Sequence, residues 1–254
     1  MNSIDHMEVE DLFEDPYLLI VHKPAGMPVQ PDLTGDRSLQ EVLSARFPLR
    51  PPVLVNRLDR PVSGAVLFAY DEQALAAMNK AFRERIVDKV YWAIVEGRMG
   101  SSVLQHHTVH DKRSFKSRIV SGKDGDRELV LHVRSLADGD RYTLVELRPE
   151  GGAFHQIRAQ LGASGHPIKG DVKYGARRGE KDRSIALHAR SLGFVHPLTH
   201  RAVLAQAPAP RSPLWRTLLD AAEEGRTEHV AGSRNDTRIF SGDPDRLSPG
   251  SDPP

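Results

Sequence analysis

The apolar residues of this chain come in short runs, each closed by a turn signal, and that pattern limits the fold more than any other feature. Residues 17–22 (YLLIVH) form one such run, closed by Lys23-Pro24-Ala25-Gly26, and predict a buried strand followed by a turn. Residues 53–55 and 65–69 are two more. Residues 89–96 (KVYWAIVE) predict a strand by β-propensity, with Val90, Trp92 and Ile94 on one face and Tyr91, Ala93 and Val95 on the other. Further strands are expected near 128–133, 142–147 and 185–195.

Helical patterns interrupt these runs without regular alternation. Ser38-Leu39-Gln40-Glu41 has the form of a capping box, and Leu39, Val42, Leu43 and Phe47 continue as an apolar stripe that stops before Pro48. A second helix is capped by Asp71 and carries Leu75, Met78 and Phe82 on one face. A third starts near His155, after the Gly151–Gly152 turn, and ends by Gly165; a short fourth lies around 214–222. Strands and helices mixed without βαβ repetition predict an α+β fold. Residues 97–126 read as polar and irregular, with a basic patch at Lys112, Arg113, Lys116 and Arg118.

Composition narrows the function classes. The chain of 254 residues has no cysteine, which excludes disulfides, thiolate metal sites and cysteine nucleophiles. No apolar run is long enough to span a bilayer, and the N-terminal stretch lacks the basic start and apolar core of a signal peptide, so a cytoplasmic, soluble protein is expected. Charge is uneven. Residues 1–14 hold five acidic side chains and no Lys or Arg, whereas residues 148–201 hold ten Lys/Arg against four Asp/Glu. A basic middle suits a nucleic-acid groove and equally suits an ordinary solvated face.

Residues 56–64 (NRLDRPVSG) form a polar connection between two predicted strands, where a rigid sheet commonly presents catalytic groups. Asp59 sits between Arg57 and Arg60, and arginine neighbours favour an ionised carboxylate, fit for a nucleophile or an electrostatic stabiliser. An isolated R-x-D in a loop is more often a structural ion pair, so the residues alone leave both readings open. Tyr91, beside Lys89, is a candidate acid or base, or a half-buried strand tyrosine. Arg158, three residues after His155, is a candidate bidentate partner for Asp59, or a surface helix arginine. There is no GxSxG, P-loop, Rossmann glycine pattern or HExxH. His106, His107 and His110 lack a carboxylate at ligand spacing, so no metal site is expected.

In order along the chain, these residues resemble the RluA-type pseudouridine synthases. DPYLLIVHKPAGMPVQP (15–31) is similar to that family's opening motif, and NRLDRPVSG to its signature, with Asp59 on the catalytic aspartate. FRERIVDKVYWAIVEG (82–97) matches the segment carrying the active-site tyrosine, Tyr91. HQIRAQLGASGHPIKGDVKYG (155–175) matches the segment with the active-site arginine, Arg158, and ALHARSLGFVHP (186–197) the closing strand. Two positions depart: Asn56 stands where the signature commonly has His, and Gly152-Ala153-Phe154 where Gly-Arg-Thr is common.

The resemblance implies a pseudouridine synthase fold: a mixed, mainly antiparallel central sheet flanked by helices and loops, with a central active-site cleft. It places a catalytic domain at 15–224, between a flexible acidic segment (1–14) and a disordered tail (225–254). It implies isomerisation of uridine in structured ribosomal or transfer RNA, with Asp59, Tyr91 and Arg158 catalytic and Arg57, Arg60, His155, Gln156 and Lys169 binding substrate. The basic segments around 112–118 and 169–178 would track phosphates. No redox step occurs, so no cofactor is expected, nor any metal, and the enzyme is expected to act as a monomer with RNA as its partner. The alternatives are a non-catalytic RNA-binding or RNA-folding module of the same fold, and an N-glycoside hydrolase, which would need a second carboxylate.

Overall fold

The computed structural model describes residues 9–111, 116–120 and 127–232. Within them eleven strands form one sheet, flanked by four α-helices. The strands are β1 (Glu10–Glu14), β2 (Leu18–Lys23), β3 (Val53–Leu54), β4 (Ser63–Ala69), β5 (Asp88–Glu96), β6 (Ser102–Asp111), β7 (Lys116–Val120), β8 (Arg127–Asp138), β9 (Tyr142–Pro149), β10 (Leu187–Val195) and β11 (Ala202–Gln206). Their order across the sheet is β1-β2-β4-β10-β5-β9-β8-β6-β7, with β3 paired to β4 and β11 to β10. Among these strands only the β4–β10 pairing is parallel, so the sheet is mixed and mainly antiparallel, as expected for an α+β chain.

The short apolar runs are continuous because both faces of these strands are covered. In β2, Leu19 and Val21 join one core while Leu18 and Ile20 join the other; in β4, Val66 and Phe68 oppose Ala65, Leu67 and Ala69 in the same way. Helix α2 (Glu72–Arg83), capped by Asp71 as expected, buries Ala74, Met78 and Ala81 against the second core. The first core takes α1 (Leu39–Arg46), α3 (Gln156–Ala163) and α4 (Pro213–Gly232). The capping box on α1 is complete, and the helix gives way at Phe47.

Several segments differ from the sequence expectation. Of the acidic start, Glu10–Glu14 form β1, paired with β2, with Asp11 and Glu14 bonded to Arg46 and the Tyr70 hydroxyl, and residues 1–8 lie outside the described residues. Residues 97–126 are not irregular throughout, since β6 and β7 extend the sheet beyond β8. Lys116 and Arg118 lie on β7, whereas Lys112 and Arg113 fall outside the described residues. Helix α4 passes through Gly225 to Gly232, because one interior glycine costs only about 1 kcal/mol and the helix is already anchored by Trp215, Leu218 and Ala222. The rest of the expected tail, 233–254, lies outside the described residues.

Where β4 runs beside β10 the backbones nearly touch. A Cβ on Gly64, whose φ is +122°, would lie 2.3 Å from the Ala189 carbonyl oxygen, so only glycine fits there. This close approach fixes the loop before β4 over the middle of the sheet.

Candidate active site

The loop between β3 and β4 is pinned at several points. Leu67 N–H donates to Asn56 Oδ1 (2.8 Å) at its start, and Leu58 and Val62 are buried beneath it. Lys23, fully buried at the end of β2, donates from Nζ to the carbonyls of Pro24 (2.8 Å), Met27 (2.8 Å) and Arg60 (3.2 Å). Burial pushes its pKa down to about 7, against the pull of Asp59. Asp59 therefore projects from a rigid turn, closed by Val62 N–H on its own carbonyl at 3.0 Å.

Neither flanking arginine pairs with Asp59. Arg57 is exposed at the rim, and Arg60 turns away to the Gly26 carbonyl (2.9 Å), Thr34 Oγ1 (2.6 Å) and the Asp36 carboxylate. The partner is Arg158, whose Nη1 donates to Asp59 Oδ2 at 2.9 Å. Behind it, Asp171 grips the same guanidinium in bidentate fashion, Nε to Oδ2 at 2.7 Å and Nη2 to Oδ1 at 2.8 Å. Arg158 and Asp171 are both buried. Burial alone would disfavour the arginine's charge, but hydrogen bonds and charge from Asp171, then Asp59, outweigh it and leave its pKa raised. Arg158 is thus a fixed cation and not a surface helix arginine.

His155 caps α3 at φ 53°, a left-handed conformation uncommon for a side-chain-bearing residue. That geometry aims its ring at the pair: Nε2 lies 3.0 Å from Arg158 Nη1 and 3.3 Å from Asp59 Oδ2. Nδ1 lies 2.8 Å from the Tyr174 hydroxyl, which also accepts from Ser117 N–H at 2.9 Å. Burial drives the His155 pKa down to about 4, with Asp59 opposing and Arg158 reinforcing, so the ring is neutral at pH 7. The network then assigns Nε2 as acceptor from Arg158 and Nδ1–H as donor to Tyr174. Phe154 stacks on the ring with centroids 3.8 Å apart.

Arg57, Asp59, Tyr91, His155, Gln156 and Arg158 all line one cavity of about 330 Å³. Tyr91 reaches it from β5, and burial together with the Asp59 charge pushes its pKa up to about 12. It is therefore a neutral hydroxyl at physiological pH, able to donate a proton but not a standing base. Gln156 serves the scaffold: its Nε2 donates to the Val130 carbonyl (3.1 Å) and its Oε1 accepts from Ala153 N–H (3.3 Å). Arg60 and Lys169, expected to bind substrate, do not line the cavity; Lys169 pairs with Glu180 between two neighbouring depressions. Lys23, Asp171 and Tyr174 were not singled out by sequence reasoning. Their only signal was their place inside those motifs, because Asp171 and Tyr174 act through partners remote in sequence and Lys23 through backbone carbonyls that carry no sequence signature.

A half-buried carboxylate, held by a buried arginine and facing a small cavity on a mixed sheet, has the makings of an enzyme site. The model of the family described as RNA pseudouridylate synthase matches residues 17–163. The chain is 31% identical over 256 residues to tRNA pseudouridine synthase C of Salmonella typhimurium, covering 90% of this chain and 98% of that one. It is 32% identical over 246 residues to ribosomal large subunit pseudouridine synthase C of Pasteurella multocida, covering 90% and 72%. The solved structure titled Human RNA Pseudouridylate Synthase Domain Containing 4 superposes with a TM-score of 0.67 at 25% identity, over 84% of this chain and 93% of that one. The chain belongs to the RNA pseudouridylate synthase family, and is an isomerase. No helix among the described residues is long and apolar enough to cross a membrane.

Proposed function

We propose that this chain isomerises uridine to pseudouridine in a folded RNA, with Asp59 as the catalytic carboxylate and transfer RNA as the favoured substrate. The observation that carries the reading is the Asp59–Arg158 pair, 2.9 Å apart across 99 positions of sequence, opening on a cavity shared with Tyr91. In the reaction the N1–C1′ bond breaks, the uracil turns, and C5–C1′ forms as the C5 proton leaves and N1 regains one. The base must first leave its stack, at a cost of a few kcal/mol.

Asp59 meets the ribose C1′ or the uracil C6, held in line by Arg158. Tyr91 donates through its un-ionised hydroxyl and supports the base, and Arg57, exposed at the rim, fills the gap left by the flipped nucleotide. The detached uracil must be shielded from water while it turns. The chemistry is redox-neutral and calls for no cofactor, and the reading takes the enzyme to act on RNA as a cytoplasmic monomer. Among the described residues that line the cavity Asp59 is the only carboxylate, since Asp171 is sequestered behind Arg158, which disfavours a two-carboxylate hydrolase. Transfer RNA is favoured because the chain spans 98% of a tRNA-named relative and 72% of a ribosomal one.

The test is tritium release from RNA labelled at uridine C5, taken from cells deleted for the gene. Release without free uracil, lowered on the order of 10⁴-fold by Asp59→Asn, is the expected result. Free uracil would mean a hydrolase, and no release from transfer or ribosomal RNA would leave a binding module. Pseudouridine mapping in both RNA classes then decides between substrates.

A further inference from the structure

Past Arg57, Tyr91, Gly151 and Gly152 the cavity continues into a second groove that the chemistry above does not use. Arg57, Arg83, Arg85 and Lys89 line it, and no carboxylate among the described residues does. Lys89 is engaged with the Gly151 carbonyl, but Arg57, Arg83 and Arg85 are exposed and make no ion pair among the described residues. The acids adjacent in sequence are drawn elsewhere, Glu84 to Lys80 and Asp88 to Arg148; Glu128 and Glu150 line a separate depression at Arg85, where Glu150 pairs with His132.

The backbone adds a separate observation. Helix α2 closes in a Schellman turn, with Arg85 N–H donating to the Phe82 carbonyl (3.3 Å) and Ile86 N–H to the Ala81 carbonyl (3.1 Å). That turn places the residue after the cap in the left-handed region, where glycine is usual. Here the residue is Arg85, at φ 61°. A side chain in this conformation is strained where glycine would not be. The chain thus keeps a guanidinium at a position where the turn itself favours none, and that side chain lines both the groove and the depression beside it.

We infer that this groove is a phosphodiester subsite, holding the backbone of the RNA strand that adjoins the flipped uridine. The inference rests on the RNA reading above. Arg83 and Arg85 supply fork-shaped donors matched to phosphate oxygens, and continuity with the cavity puts those phosphates beside the target nucleotide. Interactions of this kind position a strand without reading its bases.

The experiment uses the full chain with Arg83→Gln, Arg85→Gly and both together, beside Arg201→Gln, an exposed arginine that lines none of the depressions described. Affinity for a fluorescent single-stranded oligouridylate is measured against salt, and tritium release from the labelled RNA gives kcat and KM. In the double variant the slope of log K against log salt should fall by about 0.7 for each phosphate no longer neutralised. KM should rise on the order of tenfold, with kcat within about twofold. Arg85→Gly should weaken binding without lowering the melting temperature, a combination a purely structural arginine would not give. Unchanged slope and KM, or equal losses in Arg201→Gln, would overturn the assignment, as would equal competition by an acidic peptide. A wild-type chain inert on labelled RNA sinks the activity reading itself; an active wild type with indifferent variants sinks the groove alone.

Discussion

Arg158 and Arg60 both hold carboxylates beside the Asp59 loop, in opposite surroundings. The side chains of Arg158 and Asp171 are 7% and 1% exposed, and their cluster ends on Asp59 in the cavity. Those of Arg60 and Asp36 are 35% and 26% exposed, and their cluster ends on Thr34 and the Gly26 carbonyl in a surface loop. Water screens the second cluster, so its pairs contribute little. The first has lost its hydration, and each charge there depends on the others staying in place. Arg60 is next to Asp59 in sequence, yet the distant arginine is the one that orients it.

The largest effect expected from perturbing this contrast is at Asp171. Asp171→Asn removes a charge from the buried chain and should cost on the order of 3–5 kcal/mol in urea unfolding. It should also lower kcat more than KM, because Arg158 loses its anchor; a variant as stable and active as the wild type would erase the distinction. Acid should act next. His155 and His188 have pKa values lowered to about 4 and about 3, chiefly by burial, so both are neutral in the fold and protonate more readily in the unfolded chain. Their contribution is fully present above pH 6.5 and is lost as pH falls through that value towards their folded pKa values. For His155 the loss is on the order of 3 kcal/mol, and His155→Gln should flatten that part of a stability-against-pH curve. Smallest is Arg60→Gln, with under about 1 kcal/mol in a thermal melt and kcat within about twofold. A large loss of activity there would return Arg60 to the site.

Much of this was legible in the chain. Strands buried on both faces, such as β2 and β4, announce themselves as unbroken apolar runs, and the caps at Ser38 and Asp71 mark their helices. The edge strands β1 and β7 did not, nor did β6 beside β7, because all three interrupt their few apolar residues with charged, polar or histidine side chains. At the site, Asp59, Tyr91 and Arg158 were found through ordered motifs, and the structure brings all three to one cavity. Asp171 and Lys23 were hidden because their work is to satisfy other groups, a property of packing and not of local pattern. Arg60 and Lys169 looked like ligands because charge near a motif says nothing of where the side chain turns.

The place of β10 carries a consequence for biogenesis. It lies between β4, which follows the Asp59 loop, and β5, which bears Tyr91, yet it comes more than 90 positions after β5 begins. A nascent chain therefore holds both halves of its catalytic centre with the strand that joins them still unmade. Until Leu187–Val195 leaves the ribosome, β4 and β5 present open edges of the kind that recruit stray strands. Termination just short of that segment would yield an aggregation-prone fragment and not a weakened enzyme.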